Sequence, residues 1–213
     1  MIAPQARYEH PYVVRLCHWL SAISLSVMIG SGIEIFRAFP SFGAKIPQHD
    51  LVEVPSWLAF GGWLGGALQL HLTFMWLFAG SGALYVIYQI WSRNYRQVLF
   101  ARPDVRGVWP VLRHYFFFGP KPRVVESYNP LQKLAYTTAI VLGMLSVLTG
   151  VALYKPVQFQ WLVWLLGGFQ WVRFEHFVAM IGLLSFIPGH VVMVAIHGWS
   201  NFASMFSGWK SEA

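Results

Sequence analysis

Cysteine and charge are what this chain has least of. The single cysteine, Cys17, excludes an intramolecular disulfide framework. It also excludes covalent haem attachment of the c type, which needs Cys-x-x-Cys-His; Leu16-Cys17-His18 carries only the tail of that motif. Charged residues make up 11% of the chain, against about 25% in soluble domains, and eight residues are acidic. No internal repeat or low-complexity segment is evident. What is present is apolar: 56% hydrophobic residues, with 11 tryptophans and 17 phenylalanines, and a mean hydropathy of +0.51. Aromatic residues crowd membrane interfaces. The composition predicts an all-α integral membrane protein that forms one domain over residues 1–213.

Four stretches are long enough to cross a bilayer, which takes about 20 apolar residues. They cover residues 14–36, 64–91, 134–154 and 172–199. The first is long, contains His18 and Glu34, and is followed by no small-residue cleavage site, so an uncleaved span is expected rather than a signal peptide. Lysine and arginine set the orientation. Arg7, Arg15, eight basic residues between Ser92 and Lys133 (Lys133 among them), and Lys210 fall on one side; Arg37, Lys45, Lys155 and Arg173 fall on the other. Both termini and the basic connection are therefore expected to be cytoplasmic. The net charge of +7 is read as a topological signal and a contact with anionic lipid, not as a nucleic-acid footprint. Two connections lie on the external side, Ala38 to Trp63 and Pro156 to Trp171. The second carries Trp161, Trp164 and Trp171 and is expected along the interface. Both are either part of a docking surface for an external partner or simple connectors.

Ionisable or ligating groups inside a span are functional candidates by default. His176 and His190 lie 14 residues apart in the last span, which on a helix puts them within about 40° of one face and roughly 21 Å apart along the axis. His71 falls near the external start of the second span and His18 near the cytoplasmic start of the first. Depth then pairs His71 with His176 in an outer layer and His18 with His190 in an inner one. Two neutral imidazoles on opposite faces of one iron are the ligand set of low-spin haem b. Zinc usually takes four ligands, and no carboxylate or thiolate cluster completes such a set. A proton relay would call for Asp or Glu within the membrane, and Glu34 and Glu175 lie near the span ends. Two b haems, ligated by His18, His71, His176 and His190, are the expected cofactors.

A porphyrin also needs room and cations. Gly32 lies 14 residues after His18, on the same face at the level of the outer layer, and Gly30, Gly80, Gly82, Gly143 and Gly150 are further small positions; ordinary small-residue packing is the alternative for each. Arg15, one turn from His18, is a candidate for an inner haem propionate and also a topology-setting charge. Arg173 and Trp171 are candidates at the outer haem. Pro188 is expected to kink the last span locally. His197 is read as interfacial, or as part of a quinone or propionate site, and His10, His49 and His114 as non-ligands.

The chain resembles the bacterial di-haem cytochrome b subunits of membrane-bound nickel–iron hydrogenases, formate dehydrogenases and thiosulfate reductases. Arg15-Leu16-Cys17-His18-Trp19-Leu20 looks like the opening motif of that family. Tyr128-Asn129-Pro130-Leu131-Gln132-Lys133-Leu134-Ala135-Tyr136 looks like the start of its third span, nearest the thiosulfate reductase branch. His190-Val191-Val192-Met193-Val194, followed by Phe206-Ser207-Gly208, looks like its end. The resemblance covers nearly the whole chain. It implies a four-helix bundle in the bacterial inner membrane with two b haems, outer ligands His71 and His176, and inner ligands His18 and His190. It further implies a catalytic or electron-carrier subunit on the periplasmic side and a quinone near the inner haem. The long aromatic connection from Ser92 to Lys133, with Tyr115-Phe116-Phe117-Phe118, departs from the family pattern.

The expected function is that of a membrane electron-transfer subunit joining an external redox partner to the quinone pool, with the primary substrate chemistry on another chain. A stand-alone cytochrome that oxidises superoxide and reduces quinone is the alternative of similar layout. A scaffold or transporter without haem is the non-redox alternative.

Overall fold

A computed structural model describes residues 6–43, 55–117, 119, 120 and 128–211. Lys45, His49, Phe118, Lys121 and Arg123 lie outside the described residues. In chain order the elements are β1 (Ala6–Tyr8), α1 (Tyr12–Ala38), α2 (Leu64–Trp91), α3 (Tyr95–Val98), α4 (Val105–Phe117), α5 (Pro130–Tyr154), α6 (Gln160–Leu165), α7 (Phe169–Ile196), α8 (Trp199–Ser207) and β2 (Trp209–Ser211), with single 3-10 turns at Ser56–Leu58 and Arg102–Asp104. The helices α1, α2, α5 and α7 are the four long and apolar enough to cross a membrane.

The second span runs over the expected residues. The third begins four residues early, because Asn129 caps it: Asn129 Oδ1 accepts from the Gln132 amide at 2.9 Å, Gln132 Oε1 accepts from the Asn129 amide at 3.0 Å, and Pro130 occupies the first turn. The polar Gln132 and Lys133 that mask this start are both used. Lys133 is buried and pairs with Asp104 at 3.2 Å, which fastens the turn before α4 onto α5. The fourth span starts at Phe169, after Gly167 and Gly168, whose φ values of 84° and 102° suit glycine. It stops at Ile196 instead of Trp199 because Gly198, at φ 81°, turns the chain into α8. The helix runs on through Pro188. The expected interfacial segment between the third and fourth spans contains α6, whose Leu162 packs with Ala152 and Val172 between the ends of α5 and α7.

Helix α1 lies along α2, and α5 along α7, whereas the two pairs approach each other far less closely. A Ser21–Ser81 hydroxyl contact of 2.9 Å joins the first pair midway. At the end away from the termini, Phe36 of α1 stacks on Phe177 of α7 at 4.8 Å. Arg173 seals the same end by donating to the carbonyls of Ser41 and Phe39, each at 2.8 Å. At the opposite end β1 and β2 pair antiparallel, Arg7 opposite Lys210, so both ends of the described chain lie on one side. The basic residues Arg93, Arg96, Arg102, Arg106 and Arg113 follow α2 on that same side.

Candidate metal centres

Helix α7 carries His176 about two turns inside its start and His190 near its end. Each meets a histidine from the α1–α2 pair. His176 faces His71 of α2 with ring centroids 6.2 Å apart, and His190 faces His18 of α1 with centroids 6.0 Å apart. The two layers expected from depth are thus brought together in space. An imidazole nitrogen binds a first-row metal at about 2 Å, so two rings on opposite sides of one metal have centroids about 6 Å apart, as both pairs do. Among the described residues no group of three or more His, Cys, Asp or Glu side chains is placed to hold a metal. Two nitrogen donors with no third fit a metal that brings its own equatorial ligands, as haem does, and not zinc.

The surroundings suit such a group. His71 and His176 line one cavity with the apolar Leu25, Met28, Phe78, Met180 and Leu183. Hydroxyls hold the outer rings from behind: Ser31 Oγ lies 3.1 Å from His71 Nδ1, and Thr149 Oγ1 lies 2.8 Å from His176 Nδ1. Metal-bound histidines usually have such a partner on the second nitrogen. In the inner layer His18 stands edge-on to Trp19, and His190 stacks on Phe186 at 5.5 Å and 20°. His18 Nδ1 is buried without a hydrogen-bond partner.

Gly32 sits at the outer layer as expected, where a Cβ would stand 3.4 Å from Cε1 of His71; Gly150 relates to His176 in the same way, at 3.3 Å. Gly30 lies against Phe60 instead, and Gly143 against Phe78. Arg15 lies one turn before His18. One Nη of Arg15 donates to the Phe206 carbonyl at the end of α8, and its Nε is buried without a partner. Arg173 is committed to Phe39, Ser41 and Gln170, and Trp171 stands edge-on to Phe174. His197 Nδ1 bonds the Met193 carbonyl, and His114 Nδ1 bonds that of Gly119. His10 lies beside the β1–β2 pair, where its amide donates to Gly208. Burial lowers the His10 imidazole below its ordinary range, with Lys210 and Arg15 adding to this and Glu9 opposing it.

Sequence reasoning missed Ser31 and Thr149. The available signal was their position: each directly precedes a glycine that marks the outer layer, Gly32 and Gly150.

Four apolar helices with paired imidazoles facing across the bundle define a multi-pass membrane protein of the b-type cytochrome class. The chain belongs to the prokaryotic cytochrome b561 family, whose family model matches residues 9–208, and haem of the b type is the family's cofactor. A protein of Azospira oryzae named as a protein-methionine-sulfoxide reductase subunit, YedZ1, is 36% identical over 190 residues, covering 88% of this chain and 90% of its own. The Escherichia coli K12 protein named as a nickel–iron hydrogenase 1 B-type cytochrome subunit is 23% identical, with 96% and 90% covered. A hydrogenase B-type cytochrome subunit of Cupriavidus necator is 28% identical, with 97% and 88% covered.

Proposed function

We propose that this protein is a di-haem electron-transfer subunit of the bacterial inner membrane, placed between a catalytic subunit on the periplasmic face and quinone on the cytoplasmic face. The observation that carries the reading is the pair of facing imidazoles at each end of α7, 6.2 Å and 6.0 Å between centroids. When bound, haem supplies reversible one-electron chemistry near both membrane surfaces. The chain's own part is placement and burial. α7 gives one ligand to each layer; His71 of α2 completes the outer set and His18 of α1 the inner. Gly32 and Gly150 let the outer rings seat against the neighbouring helices. Arg15 Nε, buried without a partner one turn before His18, would hold an inner propionate. The side that carries the termini and the basic connection is cytoplasmic by the positive-inside rule, and protons exchanged with quinone near His18 and His190 come from there. The external catalytic subunit docks on the loops at the His71–His176 end. The 36% identity to the sulfoxide reductase subunit, against 23% and 28% to the hydrogenase subunits, favours a reductase as that partner, and so outward electron delivery.

Haem content tests the core of this. The purified protein is expected to give two haems per chain by pyridine haemochrome; fewer than one would overturn the reading. His176→Ala should remove the outer haem and His190→Ala the inner, each leaving one. If either variant kept two spectrally intact haems, the two-layer ligand assignment would be wrong. A periplasmic redox subunit should co-purify; quinone reduction by superoxide with the protein alone would instead favour the stand-alone cytochrome.

A further inference from the structure

Proton bookkeeping decides which nitrogen each outer ring presents. The one proton of Ser31 Oγ goes to backbone carbonyls one turn back, Val27 at 2.8 Å and Met28 at 3.3 Å. With its proton there, that oxygen accepts from His71 Nδ1, and the His71 ring also bonds the Met28 carbonyl. Thr149 Oγ1 spends its proton in the same way, on Leu145 at 2.7 Å and Ser146 at 3.3 Å, and accepts from His176 Nδ1, whose ring also bonds the Ser146 carbonyl. Both outer imidazoles thus carry the proton on Nδ1 and present the lone pair of Nε2. Back-bonding to a carbonyl is ordinary for a serine or threonine in a helix. It does not explain why the other side of each oxygen, fully buried, meets a histidine from a different helix, nor why this happens twice. Each hydroxyl is followed by the glycine against which the ring edge lies. A hydroxyl–glycine pair on α1 seats the α2 histidine, and a second pair on α5 seats the α7 histidine. In the inner layer His18 Nδ1 has no such partner.

We infer that Ser31 and Thr149 are positioning residues of the outer haem, fixing the tautomer and orientation of its two ligands and strengthening them as donors. The inference rests on the di-haem reading above. A partner that draws the Nδ1 proton makes the imidazole more basic, which favours the more positive, ferric ion. The two hydroxyls therefore hold the outer haem at a lower midpoint potential than it would have without them, and leave the inner haem unaffected.

The test is a redox titration of the full-length, haem-loaded protein and its Ser31→Ala, Thr149→Val and Thr149→Ser variants. The surviving midpoint of His176→Ala identifies the inner haem. Ser31→Ala and Thr149→Val should each raise the outer midpoint by about a tenfold change in the ferric–ferrous equilibrium, about 59 mV for one electron. Thr149→Ser should stay near the wild-type value. Loaded variants whose outer midpoint does not move, or whose inner midpoint moves as much, would overturn the assignment while leaving the di-haem reading intact. So would a Thr149→Ser variant that behaves like Thr149→Val. A wild-type protein with fewer than two haems would instead sink both. If Thr149→Val does not fold, Ser31→Ala decides the matter through the same readout on the other ligand.

Discussion

A methyl group on Gly150 would stand 3.3 Å from Cε1 of His176, and one on Gly32 would stand 3.4 Å from Cε1 of His71. A branched side chain at either place adds bulk directly against the ring. On the proposed di-haem reading, Gly150→Val and Gly32→Val are therefore expected to reduce haem content from two to one per chain, with the inner haem kept. Gly80 lies half a turn round α2 from the His71 face, and a Cβ there would meet no described atom within 4 Å. Gly80→Ala should keep both haems, and haemochrome assay of the three variants checks the contrast. The facing of His71 with His176 and of His18 with His190 was legible in the sequence because a 14-residue spacing and the direction of each span fix face and depth. The hydroxyls behind them were not. A serine or threonine in an apolar helix ordinarily satisfies itself on its own i−4 carbonyl, as Ser31 and Thr149 also do, and the second use of the oxygen arises only from the approach of another helix.

Helix boundaries follow a similar division. The apolar run of α2 shows both its ends, whereas α5 hides its start behind polar residues that look like a loop. The hidden part is held by the Asn129–Gln132 capping box and by the ion pair of Lys133, 4% exposed at the side chain, with Asp104, 11% exposed. Removing one charge of a buried pair costs far more than replacing both. Asp104→Asn keeps a side-chain acceptor for the Ala101 amide, which Asp104 now holds at 2.8 Å, and deletes only the charge. It should lower the stability of the protein in detergent by roughly 3 kcal/mol, seen as a fall in the thermal midpoint. Asp104→Asn combined with Lys133→Met should recover most of the loss; a double variant as unstable as the single one would show that the pair is not the source. The short helices α4 and α8 were not expected at all. α4 interrupts its apolar residues with Arg106, Arg113 and His114, α8 mixes aromatic residues with Ser200, Asn201 and Ser204, and only His197 and Gly198 separate α8 from α7, a break the apolar pattern passes over.

On the scale of the whole molecule, the α1–α2 and α5–α7 pairs are closed at the terminal side by contacts between the two ends of the chain. β1 pairs with β2, Tyr8 meets Trp209 edge-on at 5.2 Å, Trp19 donates to the Met205 carbonyl at 3.0 Å, and Arg15 donates to that of Phe206. Arg15 and Trp19 flank His18, so this clasp borders the inner layer. His10 sits within it, its imidazole lowered by burial first and then by Lys210 and Arg15, against the raising effect of Glu9. A folded-state value below the unfolded one, about 6.5 for histidine, means that the opened clasp binds the extra proton. Its stability is then fully present above about pH 6.5 and declines as the pH falls below that value. Hydrogen exchange of the 6–10 and 208–211 backbone should accelerate on going from neutral to mildly acid pH, beyond the intrinsic change in exchange rate. His10→Gln should remove that extra acceleration, because glutamine does not titrate there. Exchange in the middle of α5 serves as the internal reference; if it accelerated equally, the acid effect would be global and the clasp would not be the element that His10 controls.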